Sequence, residues 1–537
     1  MLVMRVPHLM AAVVLVAGLA GGACAQLQQS QVLVVYDSTS ADSLAVAEYY
    51  AGSAKVAGGV GGLVGARPGV GVVDLAGLTA TRVLTPDVTW GQFVAGVRNP
   101  LRAWLNSNDR RGRVRCIVLT KGLAHRILDT DNPNVGEDFS GPGPGVVTEL
   151  SAGDSTYSSV DSELTLLQQN VEAGENGGGG DSLSDGMIIN PYFGSSVPFG
   201  AFSTASRKVA RAFVNPVSGF PRGLLWQSSA LTAGDMYLVT RLDGASVQAV
   251  RGLIDRAQVG IVDTSSAVFV LDESRSNGVA DGGPNNELDN QDFATSPTPL
   301  WRNDDYESAR DALVADGRFA PVGVRYDSGP FPSNYFFGPR VDPGVVLPRI
   351  SVPITVLASE GANSDGTPGG LARAQLPDSF LWGPMGFYST IESFNGRDFG
   401  GKGVLFSHSQ VAGAVGAGCT FAVGNCWEPF APTIAHNEVF IRRFYLGNMS
   451  FAEAAWASLP ALSWQQVVVG DPLARVVRSG ESVDAGDAGV NIDDMYQWEW
   501  QPVDINRDGQ ANGTDRRLIE SSMRPGAGVL DMVGVQR

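Results

Sequence analysis

Residues 403–429 read GVLFSHSQVAGAVGAGCTFAVGNCWEP, and the fold is read outward from them. Two apolar runs, 403–407 and 411–423, flank a Ser-His-Ser step. The second run is so rich in Gly and Ala that neighbouring backbone must approach it closely. Apolar runs of this kind suit strands in the middle of a sheet covered on both faces. Both runs are therefore expected to be central strands.

The flanking sequence supplies the rest of such a sheet. Residues 31–36 (QVLVVY) form a strand by their Val content, followed by Asp37-Ser-Thr-Ser40 and a helix over 42–50 with Asp42 near its cap. Strands are expected over 113–120, 236–240, 267–271, 322–326 and 465–470, and helices over 246–257, 304–315, 436–446 and 450–459. Ser450 with Glu453 three residues on is a capping box. Residues 350–359 (ISVPITVLAS) are a further strand that Pro353 sends to an edge or a bulge. This alternation predicts an α/β domain over 26–477, with a mostly parallel sheet and helices on both faces. Residues 172–186 and 272–292 are Gly-rich, acidic insertions with too little apolar surface to order themselves. Residues 478–486 read as a linker and 487–537 as a small separate module.

The chain has 537 residues, 44% of them hydrophobic, enough for a sizeable core. Residues 1–25 follow the order of a secretory signal: Arg5, an apolar stretch over 9–19, then Ala23-Cys24-Ala25. Cleavage after Ala25 and an extracytoplasmic or secreted address are expected. The apolar core is too short to span a bilayer and no later stretch is longer, so no transmembrane segment is expected after signal removal. The net charge of −17 becomes more negative once Arg5 leaves, which argues against a nucleic-acid partner. In an exported protein the spacing of Cys419 and Cys426 predicts a disulfide, while Cys116 sits in an apolar strand.

The sharpest motif lies near the end. Asp504, Asn506, Asp508, Asn512 and Asp515 occupy positions 1, 3, 5, 9 and 12 of a loop, with Gly509 at 6 for the turn and the Gln510 carbonyl at 7. That spacing wraps a Ca2+ ion in six or seven oxygens. Twenty-one residues earlier Asp487, Asn491 and Asp494 repeat part of the pattern, while Val483 and Ala485 stand at ligand positions. A pair of loop-helix units each ending in Asp resembles the dockerin type I module, over about residues 484–524. The resemblance implies an α-helical EF-hand-type module that binds calcium and docks onto a cohesin-like or cell-surface protein.

The main domain has a resemblance of its own. Val411-Ala-Gly-Ala-Val-Gly-Ala417, the helix over 450–459 and Val467-Val-Val-Gly-Asp-Pro-Leu473 look like the end of the gingipain-type, caspase-like cysteine peptidase domain. Cys116-Ile-Val-Leu-Thr-Lys-Gly122, Asp161-Ser-Glu-Leu164 and Tyr237-Leu-Val-Thr-Arg-Leu-Asp243 are more similar to an uncharacterised family of secreted bacterial proteins that shares this ending. That family implies a fold and no activity.

A peptidase of the gingipain type needs a His in a loop after one strand and a Cys at the end of the next, because an imidazole must hold the thiolate. Ser359-Glu-Gly-Ala-Asn-Ser-Asp365 stands in the first place and Phe406-Ser-His-Ser409 in the second. A Cys and His pair would need Cys426 with His125, His408 or His436. The other arrangement takes Ser407 or Ser409 beside His408, with Glu360 or Asp365 as the acid, and no Gly-x-Ser-x-Gly elbow surrounds either serine. Two readings follow: a non-catalytic α/β domain with a calcium-dependent docking tail, or an extracytoplasmic hydrolase of caspase-like fold built on His408, Ser409, Glu360 or Cys426.

Overall fold

The computed structural model describes residues 26–109, 112–128, 158–168, 188–202, 236–272, 305–327, 336–340, 348–359, 376–392, 394–400, 409–427, 429 and 433–479, and the backbone of strands Ala210–Val214 and Pro221–Trp226. The insertions at 172–186 and 273–292, the linker from residue 480 and the calcium loop lie outside these residues.

The organising elements, in chain order, are β1 (Val32–Tyr36), α1 (Ala41–Ala51), β2 (Gly71–Asp74), β3 (Cys116–Thr120), α2 (Val160–Thr165), β4 (Leu238–Leu242), α3 (Val247–Val259) and β5 (Phe269–Asp272). There follow α4 (Asp305–Asp316), β6 (Val324–Asp327), β7 (Ile354–Ser359), β8 (Trp382–Thr390), α5 (Gln410–Ala417), β9 (Phe421–Asn425), α6 (Asn437–Phe444), α7 (Phe451–Ser458) and β10 (Gln466–Val469). Their strands build one ten-stranded sheet in the order β6-β5-β7-β8-β9-β10-β4-β3-β1-β2. Strands β2, β1, β3, β4 and β10 are mutually parallel, as are β6, β5, β7, β8 and β9. The two sets meet antiparallel at β9 and β10, with Ala422 opposite Val469 and Asn425 opposite Gln466. The domain is α/β with a mostly parallel, mixed sheet.

Helices cover both faces, as alternation along β9 requires. On one face Phe421 packs on Phe444 of α6 and Phe451 of α7, with ring centroids 5.2 and 4.5 Å apart. On the other, a Cβ added at Gly424 would lie 2.5 Å from Val411 Cγ2 of α5. Helix α5 continues into a layer with α3 and α1: Arg256 donates to the Val415 carbonyl, and Tyr49 donates to Asp255 at 2.6 Å. The capping box of α7 is present, with the Ser450 amide donating to Glu453 Oε2 at 2.9 Å.

Two expectations are corrected, and one that left two alternatives is resolved. The run 411–423 is not one strand: Gln410–Ala417 is a helix ended by Gly418 in the left-handed region, and only Phe421–Asn425 is strand. Val411, Ala414 and Val415 line the buried side of that helix, a helical spacing that the Gly and Ala content obscured. The run at 403–407 lies outside the described residues. Pro353 marks no edge: β7 has neighbours on both sides, and its pairing with β8 shifts register between Ile354 and Val356, the bulge alternative. Finally, Cys419 and Cys426 are free and buried, at opposite ends of β9. Seven residues of extended chain separate them by on the order of 20 Å, far beyond the reach of a disulfide.

Three outcomes follow from this packing. Gly424→Ala forces its methyl group into Val411 and Asn395 and is expected to lose about 1–3 kcal/mol in urea unfolding. Gly416→Ala, on the exposed side of α5 with nothing within 4 Å, gains up to about 1 kcal/mol. Peptide mapping without reduction is expected to find Cys116, Cys419 and Cys426 as thiols that react with a thiol reagent only after unfolding.

Candidate functional site

Because the two strand sets run in opposite directions, the sheet has two carboxyl edges. On the first, β1, β3 and β4 are followed at once by the buried residues Asp37, Lys121 and Asp243. Strand β2 lies on one side of β1 and β3 on the other, so the chain leaves these strands in opposite directions and opens a switch point there. Asp37 accepts from the Thr39 amide at 2.8 Å and Ser38 donates to Asp74, which shapes the turn into α1. Lys121 does not face an open crevice. Its ammonium donates to the carbonyls of Gly244 at 2.7 Å and Phe399 at 2.9 Å and lies 3.4 Å from Asp243. It therefore holds the segment after β8 over the end of β4.

That segment, residues 394–400, crosses the sheet face from the second carboxyl edge to the first. Gly396 donates to the Asn425 carbonyl at 3.0 Å, and a Cβ there would lie 2.7 Å from Val467 Cγ2. Gly400 lies against Ala245, where an added Cβ would meet the carbonyl oxygen at 2.7 Å. Beneath this segment lies Arg241 of β4, with no solvent exposure. Its Nε and Nη2 donate to Asp161 of α2, Nη2 at 2.7 Å; Nη1 donates to Asp243 at 3.0 Å, and Nη2 also to the Ala124 carbonyl at 3.1 Å. Burial pushes the Asp161 carboxyl up, and the guanidinium pulls it back. The segments 116–122, 161–164 and 237–243, quoted separately from the sequence, meet here: Asp161 binds Arg241, and Lys121 approaches Asp243.

Cys426 follows the last residue of β9. Its amide donates to the Gln465 carbonyl at 2.9 Å, which extends the antiparallel register and sets Cys426 directly opposite Gln465 on one sheet face. The charged groups acting on its sulfur are Arg126, Asp161, Arg241 and Arg397. Burial nevertheless pushes the Cys426 thiol far up, and burial pushes Cys419 to about 12. Neither is a thiolate nucleophile. Two guanidiniums stand over the buried Trp427 ring, Arg126 at 5.2 Å and Arg397 at 5.0 Å from its centroid. Asp87 pairs with Arg126 at 2.6 Å. His125 is buried; its Nε2 donates to the Arg397 carbonyl at 2.7 Å, and burial and then Arg126 hold it well below the usual imidazole range. His436, at the head of α6, is lowered by burial to about 4.

Of the catalytic candidates singled out in the sequence, Cys426 and His125 lie in this arrangement among the described residues, but His125 is bonded to the Arg397 carbonyl. Ser409 precedes α5 without a side-chain capping bond, and among the described residues its hydroxyl meets no histidine. His408, Ser407, Glu360, Asp365, and the loop with Asp504, Asn506, Asp508, Gln510, Asn512 and Asp515 lie outside the described residues. Sequence reasoning missed Arg241, Arg126, Arg397, Trp427 and Gln465. A signal existed for Arg241: a lone Arg among apolar residues of a strand requires a buried acid. Among the described residues no group of three or more His, Cys, Asp or Glu is placed to hold a metal ion, and no helix is long and apolar enough to cross a membrane. No family model, curated protein or solved structure matches the chain.

Beside this face lies a further buried acid. Glu163 of α2 accepts from Ser463, whose φ of 52° is left-handed, and burial raises its carboxyl to about 7 from 4.5. The folded state thus holds a proton that the unfolded chain releases, so its share of stability is full below about pH 4.5 and is lost as the pH rises to about 7. Glu163→Gln keeps an acceptor for Ser463 and removes the charge. In urea unfolding the variant is expected to equal the natural chain near pH 4.5 and to exceed it by up to about 3 kcal/mol at pH 8. Arg241→Met strands two buried carboxylates and is expected to lose about 3–5 kcal/mol at pH 7 by the same measurement.

Proposed function

We propose that the chain is an extracytoplasmic α/β protein whose main domain performs no covalent chemistry and which is anchored through a calcium-loaded C-terminal module. The observation that carries this reading is the oxygen spacing Asp504, Asn506, Asp508, Asn512 and Asp515 around Gly509. Three carboxylates in one loop repel each other by about a kcal/mol per close pair in partly screened surroundings, and a calcium ion turns that repulsion into binding. Ordering of the helix that follows is then linked to the ion. The first repeat, with Val483 and Ala485 at ligand positions, contributes no second tight site. The loaded module would dock the domain to a cohesin-like or cell-surface protein. The chemistry around Cys426 supports the non-catalytic half of this reading, since its thiol is kept protonated and His125 is engaged with a backbone carbonyl.

Calorimetry on the full exported chain tests the tail. One calcium per chain is expected, lost in Asp508→Ala while the main domain's unfolding transition stays in place. No calcium heat, or binding untouched by Asp508→Ala, refutes the assignment. Cleavage of a peptide library that requires reduced thiol and disappears in Cys426→Ala would overturn the non-catalytic reading.

A further inference from the structure

Residues 478 and 479, which the sequence assigns to a linker, are fastened to the domain. Val477–Arg478 pairs in parallel with Ile261–Val262, the short strand that follows α3. The Val477 amide donates to the Gly260 carbonyl at 2.7 Å and the Ser479 amide to the Val262 carbonyl at 2.9 Å. Ser479 Oγ accepts from the Thr264 amide at 3.0 Å and donates to Asp263 at 3.0 Å. Arg478, 4% exposed, turns to a different element. Its Nη1 donates to the carbonyls of Tyr445 at 2.7 Å and Gly447 at 2.9 Å, and its Nη2 to Asn448 Oδ1 at 2.9 Å, all just beyond the end of α6. Domain ends are poorly ordered unless tied down, and this one is tied to two elements at once.

The stretch leading there is tied as densely, to elements from both halves of the chain. Asp471 accepts from Tyr50 of α1 at 2.6 Å and pairs with Arg67 at 2.6 Å. The Ala474 carbonyl accepts from the Phe451 amide of α7 at 2.8 Å, and Arg475 donates to the Asn448 carbonyl at 3.1 Å. Only Gly470 separates this stretch from β10, in the middle of the sheet. Tension on the chain beyond residue 479 would therefore reach the central strand directly if 471–479 peeled away. We propose that residues 471–479 are a mechanical clamp that takes up tension from the C-terminal module and keeps it off β10. The clamp rests on the anchoring role proposed above for that module. Peeling must break the pairing at Ser479, withdraw the Arg478 guanidinium from three acceptors and then break the pairing at Val477, so resistance comes from two separate elements. Hydrogen bonds from a charged donor are the strong ones of this set, which makes Arg478 the part whose loss is felt most.

The test pulls the full exported chain at constant force in two geometries. One runs between the N terminus and the C terminus, the other between the N terminus and a handle on Val322→Cys, a position 68% exposed, while Cys116, Cys419 and Cys426 are buried away from the handle chemistry. The handles replace the docking partner, so calcium is not needed: loss of the calcium site would refute the anchoring role and leave the clamp measurable. Arg478→Met is expected to speed forced unfolding of the main domain about tenfold through the C terminus, and by no more than about threefold through Val322→Cys. Ser479→Ala, an exposed change that serves if Arg478→Met does not fold, is expected to speed it about threefold through the C terminus and not through Val322→Cys. Equal acceleration in the two geometries overturns the proposal, since these residues then add only general stability. No acceleration through the C terminus overturns it too, as does a natural chain in which 471–479 pulls out in a separate step before the rest of the domain unfolds.

Discussion

A guanidinium without solvent exposure must be surrounded by acceptors, and the middle of this sheet is arranged around that requirement. Arg241 projects from β4, one strand from the seam between the two sets, and no single element can satisfy it. Its own strand end gives Asp243, α2 gives Asp161, the chain after β3 gives the Ala124 carbonyl, and the second half lays the Phe399 ring 5.6 Å from it. Removing any of these exposes a charge to a medium that cannot solvate it. The fully buried short helix α2 owes its place to this: Asp161 reaches back to Arg241, and Ser159 before it donates to the Gln466 carbonyl. One charge thus ties β4, α2 and the segment over β9 into a single geometry.

Reversal of strand direction at the seam has a related consequence. Two parallel sets put their carboxyl ends on opposite edges, yet the segment 394–400 starts at one and finishes at the other. The sheet face is therefore closed where a parallel sheet of this kind commonly leaves a crevice. The polar groups left there, Gln465, Cys426 and Arg126, belong to the interior, and their chemistry is that of burial: thiol kept neutral, imidazole kept neutral, the buried guanidiniums after β3 and in β4 each held against a carboxylate.

The class of fold was legible because strands such as 32–36 and 116–120 are unbroken apolar runs, and α7 announces itself through Ser450 and Glu453. The run around Val411 was misread because Gly and Ala carry neither period strongly, and the buried side of α5 rests on so few larger side chains. Pairing across the seam was invisible for a different reason. Cys426 and Gln465 are 39 positions apart, and only the antiparallel register puts them side by side. Arg241 and Asp161 are 80 positions apart; each stood in a short quoted segment, but nothing in either names the other. The cysteine spacing misled because seven residues look close in sequence and are far apart in a strand.

Strand β10 occupies the centre of the sheet but is supplied by residues 466–469, the last of the ten strands along the chain. Until it arrives, β4 and β9 are two facing edges with unpaired amides and carbonyls, one on each incomplete half. A chain stopped short of that point would carry most of its apolar residues and still present two templates for strand addition by its neighbours. Folding is thereby timed to the completion of the domain. Two partial sheets wait for one late segment that locks between them, and any delay in delivering it extends the period in which chains can pair with each other instead of with themselves.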